Sequence, residues 1–351
     1  MLLFHQNYVI FLYVFSQEKR ELKMQKFLEF ISPELKLVEK NIYNQIKKYS
    51  PEVVEKIAEN LLLSGGKRIR PALVILSASA IDRDSASSED VINLATIVEI
   101  VHMASLIHDD VIDESEIRRN RPTSHKLWGN KLAILSGDYL LSIGFNILSD
   151  VVKKRKDATI LKIFANTMQQ MCKGVIQEIT DSKEFSKTKY LNLIKRKTAY
   201  LFSTCCYVGA KCANGTISQI NALSLYGMNF GISFQIVDDM LDFISLPEKF
   251  GKPTFSDVNS FKITLPIINL LEVANRDEKV FVKNYFRNKE NKKEIVEKII
   301  EIMNKYRIFK KTKEEAKKYL KEAKKSIEIL PPNKSKSILE KLLWEFLERK
   351  V

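Results

Sequence analysis

Two aspartate clusters of one pattern stand out among the residues able to do chemistry: Asp109-Asp110-Val111-Ile112-Asp113 and Asp238-Asp239-Met240-Leu241-Asp242. Each follows an apolar run of helical character, so the acids fall where hydrophobic packing ends. Positions i and i+4 share a helix face, which projects Asp109 with Asp113 and Asp238 with Asp242. Like charges at that spacing repel by roughly a few tenths of a kcal/mol per pair. A cation offsets the repulsion, and an all-oxygen set without His or Cys favours Mg2+ over zinc or copper. A lone cluster reads as a solvated helix end. Two with the same spacing, far apart in the chain, point to one site that only the fold can assemble, able to clamp a diphosphate through bound metal.

Basic residues fall where such a site needs them. Gly65-Gly66-Lys67-Arg68-Ile69-Arg70-Pro71 opens a helix; its glycines allow close approach and the helix N-terminus favours an anion. The spacing is not that of a P-loop. Taken alone, the segment reads equally well as a helix start with surface cations. Arg118-Arg119 follows the first acidic cluster, and arginine makes fork-like contacts to phosphate oxygens, although a surface pair is the plainer alternative.

The elements that must position these groups are helices. The chain has 351 residues, with 9 Pro and 11 Gly, too few for an all-β or loop-rich protein, and its Leu, Ile, Lys and Glu content favours helix. Amphipathic stretches are expected at about 26–48, 51–64 and 71–81. Ser87 or Ser88 is placed to cap a long apolar helix over 89–113. A charged connection runs from Glu114 to Gly129. Further helices are expected at about 130–150, 157–181, 187–213 and 217–245, then short ones at 262–274 and 278–288 and a Lys/Glu-rich tail. The pattern predicts an all-α fold, a single-domain helical bundle around a central cavity spanning 24–351. The formal net charge of +14 fits a solvated lysine-rich surface or a phosphorylated substrate; no nucleic-acid-binding motif is present. None of the 4 cysteines forms a C-x-x-C pair, so reduced, partly buried thiols in a cytoplasmic protein are expected. Residues 1–23 form an N-terminal extension that is apolar to Phe15, lacks a basic start and is too short to span a bilayer. The first expectation for it is a misassigned start upstream of Met24, the second a membrane-touching segment, the third a targeting one. No later segment is expected to be long and apolar enough to cross a membrane.

The motifs, taken in order, resemble one family. Gly66-Lys67-Arg68-Ile69-Arg70-Pro71, His108-Asp109-Asp110-Val111-Ile112-Asp113, Arg118-Arg119, Gly137-Asp138-Tyr139-Leu140, Lys197-Thr198 and Phe234-Gln235-Ile236-Val237-Asp238-Asp239 make the chain, from about residue 30 onward, similar to the trans-isoprenyl diphosphate synthases, specifically the long-chain octaprenyl type. The resemblance implies the isoprenoid synthase fold and prenyl transfer by ionisation, condensation and elimination. Asp109 and Asp113 are implied as Mg2+ ligands with Asp110 in support, and Asp238 as the second-motif ligand with Asp239 and Asp242 around it. About three Mg2+ would bridge them to an allylic diphosphate held by Arg118, Lys197 and Lys252. Lys67, Arg70, His102 and Arg119 are implied for isopentenyl diphosphate, and Thr198 and Gln235 for the developing carbocation. Read from composition alone, His102 is a core histidine on an apolar helix. A homodimer is implied, with an unlike partner subunit possible as in some heptaprenyl synthases, and at most peripheral membrane contact for product release.

In the family the growing product runs back along the helix of the first cluster. Four and five residues before Asp109 stand Ser105 and Ala104, about one 5.4 Å turn below the metals. Short-chain members carry bulky aromatics there. Small residues imply an open tunnel and a product of about C30–C50, centred near C40, with Phe145 or Phe164 as a possible floor or as ordinary core. Asn120 departs from the usual Gly, as do Phe255 in the loop Gly251–Asp257 and Phe261 before Lys262, which puts closure of that loop in question. Lys173-Gly174-Val175 replaces a more acidic stretch. A shorter-chain geranylgeranyl or farnesyl synthase, a class I terpene cyclase, a subunit of a heteromeric synthase and a nucleic-acid binder are the competing readings. The two intact acidic motifs, with Lys67 and Arg70, speak against the cyclase and a non-catalytic subunit.

Overall fold

The computed structural model describes residues 28–119, 121–180, 185–243, 261–288 and 293–347. Residues 1–23, Asn120 and the loop carrying Lys252 and Phe255 lie outside them. The described chain is helical apart from two two-residue strands. Helices α1 (Ser32–Tyr49), α2 (Glu52–Leu63), α3 (Ile69–Ile81) and α4 (Glu89–Ile112) lead into strands β1 (Ile117–Arg118) and β2 (Arg121–Pro122), paired antiparallel. There follow α5 (Ser124–Arg155), α6 (Ala158–Thr180), α7 (Lys187–Ile194), a π-helical segment (Lys195–Ala199), α8 (Tyr200–Cys212) and α9 (Ile217–Asp242). The chain then runs through α10 (Leu265–Val273), α11 (Arg276–Asn288), α12 (Lys293–Lys305), α13 (Ile308–Ser326) and α14 (Lys334–Leu347).

The sequence explains the central elements. Ser88 caps α4 by accepting from the Val91 amide at 3.4 Å, one of the backbone donors that a helix start leaves without a partner. Both α3 and α4 are apolar around most of their circumference, and both are buried: α3 packs on α4 and α8, and α4 on α5. A helix hydrophobic all round has only the protein interior in which to lie. Helix α9 starts with a capping box, Thr216 and Gln219 exchanging bonds, and is enclosed by α8 and α13. A second, smaller apolar cluster joins Phe243 to α10–α12 through Ile267, Val282, Phe286 and Ile299.

Three expectations change. Two helices, Glu89–Ile112 and Ser124–Arg155, are long and apolar enough by composition to cross a membrane. The first is a core helix of the bundle, with 72% of its most apolar window buried, and the second has 44% buried. The helix expected from residue 130 starts at Ser124 and is broken by the non-helical Gly129 (φ 80°, ψ 159°). The single helix expected over 187–213 contains the π turn at Lys195–Ala199. Of the four free cysteines, Cys172 is exposed while Cys205, Cys206 and Cys212 are buried.

Candidate active site

The first cluster closes α4 and the second closes α9, as their apolar runs predict. Consecutive aspartates differ by about 100° around a helix, so each pair splits. Asp109 is half-buried at the site, whereas Asp110 is buried, and Arg118 takes both of its oxygens: Nε donates at 2.8 and 3.0 Å and the second guanidinium contact is 2.7 Å. Asp238 is exposed, whereas Asp239 is buried and accepts from Tyr190 Oη at 2.6 Å and Gln235 Nε2 at 2.7 Å. Asp110 and Asp239 stand in support of their neighbours, because their oxygens already serve internal donors. Asp242 lies half-buried at the end of α9.

Glu178 on α6 was not foreseen. It accepts from Lys197 Nζ at 2.6 Å, and Lys262 Nζ lies 3.6 Å from its other oxygen. Lys262 also donates to both oxygens of Asp113, at 3.1 and 3.0 Å. Burial raises the Asp109 carboxyl pKa, as do Asp113 and Glu178, against Lys197 and Arg118. Burial, with the Asp238 and Glu178 charges behind it, raises Asp239 to about 7 despite its two donors. Glu178 thus acts on both clusters, so α4, α6 and α9 share one negative field. Burial pulls Lys197 down, but Glu178 and Asp109 outweigh it and raise its pKa. Among the described residues, no three His, Cys, Asp or Glu side chains close into a metal cage by themselves. The donor chemistry nevertheless suits a hard divalent cation: Asp109, Asp113, Asp238 and Glu178 offer only oxygen, and lysine ammoniums now balance part of their charge.

Lys197 and Thr198 ride on the π segment. A Cβ on Gly174 would lie 2.8 Å from the Lys197 amide nitrogen, and one on Gly231 2.6 Å from Ala199 Cα. The two glycines let α6 and α9 press the segment from either side. π turns of this kind recur at functional sites.

A positive pocket adjoins the acidic one. His102 lies seven residues before Asp109 on the same face of α4, about 10 Å along the axis at 1.5 Å per residue. Burial lowers the His102 pKa well below its usual value, and Arg70, Arg119, Arg118 and Arg68 lower it further, which keeps the imidazole neutral. Arg68 is held by Glu99 at 2.9 Å and Glu39 at 3.3 Å. Arg119 donates to the Gly65 carbonyl, Arg70 lies over the Phe202 ring at 5.0 Å and Lys67 is exposed. The buried Arg70 Nε has no hydrogen-bond partner. A cluster of arginines around a neutral histidine has the donor chemistry that suits an anion.

Below the acids, Ala104 is fully buried, and Ser105 returns its hydroxyl to the His102 carbonyl at 2.8 Å. Phe164 is buried in the core. Phe145 is not: it is 41% exposed on the outer side of α5, so it cannot floor a tunnel within its own chain.

An all-helical bundle with facing carboxylates and an adjoining arginine pocket defines a class of protein that holds phosphorylated substrates beside metal. The polyprenyl synthetase family model matches residues 51–303. The short chain isoprenyl diphosphate synthase of Methanothermobacter thermautotrophicus is 31% identical over 333 residues, 93% of this chain and 99% of that one. Heptaprenyl diphosphate synthase component 2 of Bacillus subtilis is 33% identical over 91% of this chain and 89% of its own length. The crystal structure of polyprenyl synthase from Caulobacter crescentus, complexed with calcium and isoprenyl diphosphate, superposes with a TM-score of 0.87 at 27% identity, covering 93% of this chain and 98% of that one. The chain belongs to the polyprenyl synthetase family, the trans-isoprenyl diphosphate synthases, and is a prenyltransferase.

Proposed function

We propose that the protein condenses isopentenyl diphosphate with an allylic diphosphate, repeatedly, to an all-trans polyprenyl diphosphate of about C30–C50, with about C40 as the centre. The observation that carries the reading is the contact set that joins Asp113 to Glu178 through Lys262 and Glu178 to Lys197, with Arg70 and Arg119 placed on the neighbouring elements. Asp109, Asp113 and Asp238 would hold about three Mg2+, with Glu178 alongside. Bound Mg2+ supplies Lewis-acid neutralisation of the departing pyrophosphate. Lys197 and Arg118 orient the allylic diphosphate and stabilise charge on its oxygens as the C–O bond ionises. Lys252, outside the described residues, is assigned the same task. Lys67, Arg70, His102 and Arg119 hold isopentenyl diphosphate so that its double bond attacks the allylic carbocation. Thr198 and Gln235 line the cation, and the apolar walls of α4 exclude water. The released pyrophosphate takes the proton, so no side-chain nucleophile is needed.

Chain length rests on Ala104 and Ser105. Both side chains are small, Ala104 is buried and the Ser105 hydroxyl is satisfied by its own helix, so neither residue brings a bulky ring to the wall below Asp109. A homodimer is supported by the apolar residues exposed along α5, Leu127, Ile134, Leu135 and Phe145, which a partner subunit would cover. The likeness to a synthase called component 2 favours a second reading, in which the chain is the catalytic subunit of a heteromeric enzyme. Asp109→Ala and Asp238→Ala test the central reading: each lowers turnover by at least about 100-fold, the scale of losing one key electrostatic group, with the fold intact by circular dichroism. Near-wild-type rates in either refute the metal assignment.

A further inference from the structure

Beyond the family motifs, one buried residue ties the site together. Tyr190 on α7 is 4% exposed and donates its hydroxyl to Asp239 Oδ2 at 2.6 Å. Gln235 Nε2 donates to Asp239 Oδ1 at 2.7 Å, and Thr198 Oγ1 donates to Gln235 Oε1 at 2.7 Å. Four side chains from α7, the π segment and α9 thus form one line of bonds, and every proton in it points toward Asp239. Both Asp239 oxygens are acceptors in this arrangement, one from the phenol and one from the amide. Because Asp239 takes the amide N–H, Gln235 turns its carbonyl oxygen to Thr198. Because Thr198 gives its proton to that oxygen, its own lone pairs remain as acceptors. A developing carbocation is stabilised by lone pairs and opposed by N–H or O–H groups aimed at it. A reversed chain would present the wrong polarity.

We propose that Tyr190 is a positioning residue for prenyl transfer: its bond to Asp239 sets the direction of the Asp239–Gln235–Thr198 chain and so presents the Thr198 oxygen to the cation. The assignment rests on the function proposed above. Tyr190 touches no substrate in this account. It fixes the carboxylate plane, which fixes the amide, which fixes the hydroxyl. The same bond satisfies a phenol that has no water to turn to.

The test is Tyr190→Phe, Thr198→Val and the double variant, compared with wild type in single-turnover elongation of an allylic diphosphate with labelled isopentenyl diphosphate and Mg2+. Tyr190→Phe lowers the rate constant about 10-fold, with KM for both substrates within about twofold; about 1.4 kcal/mol, the net worth of one good hydrogen bond, is a factor of ten. In the Thr198→Val background, Tyr190→Phe has no further effect, because the hydroxyl through which it acts is gone. Melting temperatures measured alongside show whether each variant is folded. An equal loss from Tyr190→Phe in both backgrounds overturns the proposal and leaves a packing role. An unchanged rate in the single variant overturns it as well. A wild-type protein that elongates nothing overturns the proposed function itself, and with it this assignment.

Discussion

The pairing of Asp110 with Arg118 makes a prediction that separates two roles for the first acidic cluster. Asp110→Asn keeps the shape and one acceptor oxygen but removes the charge. In the native site the side chains of the pair are 5% and 16% exposed and joined by contacts of 2.7, 2.8 and 3.0 Å. Neutralising one partner of a buried pair costs roughly 3–5 kcal/mol, and the retained acceptor places this variant near the lower end, about 3 kcal/mol. With a urea slope of about 3 kcal/mol/M, the unfolding midpoint falls by about 1 M. Arg118 also loses the group that aims it, so KM for the allylic diphosphate rises about tenfold. Dependence on Mg2+ concentration stays as in wild type. The assays are urea unfolding followed by circular dichroism and steady-state kinetics at varied Mg2+. If Asp110→Asn instead raises the Mg2+ requirement tenfold while KM and the urea midpoint are unchanged, Asp110 is a metal ligand and the reasoning fails.

Other predictions follow from the same geometry. Ala104→Tyr places a ring one turn below Asp109 and shortens the product to about C15–C20; an unchanged product profile on thin-layer chromatography sinks the open-tunnel reading. Asp239 is raised from 3.8 to about 7 in the fold, so between those values the folded state keeps a proton that the unfolded chain has released. Stability of the metal-free protein therefore falls as pH rises through that window and levels above it. Melting temperatures from pH 4 to 8 should show the slope in wild type and a weaker one in Asp239→Asn; equal slopes count against it.

Much of the architecture was legible because apolar periodicity reports burial directly. Helix α4 with its Ser88 cap and α9 with its closing acids follow from pattern alone. The split between Asp109 and Asp110 was implicit in the 100° step, yet which of the two turned inward depended on Arg118 returning through β1. The π segment was hard to read from the apolar pattern, since the helix that follows it is buried almost all round and hides a one-residue shift of phase. Its signal lay in Gly174 and Gly231, whose role appears only when α6 and α9 are seen to press on Lys197–Ala199. Glu178 carries no motif, and the fold alone brings it to Lys197. Phe145 looked like core by type but faces outward on α5, because sequence does not distinguish a wall of the bundle from a surface that another chain could cover.

Elongation by the purified protein tests the central claim most directly. The protein is incubated with Mg2+, labelled isopentenyl diphosphate and farnesyl diphosphate, and the products are dephosphorylated and sized by chromatography. The account predicts a ladder that ends at about C30–C50 and is abolished by chelation of the metal. No elongated product from the folded protein alone, or a product that stops at about C20, contradicts it.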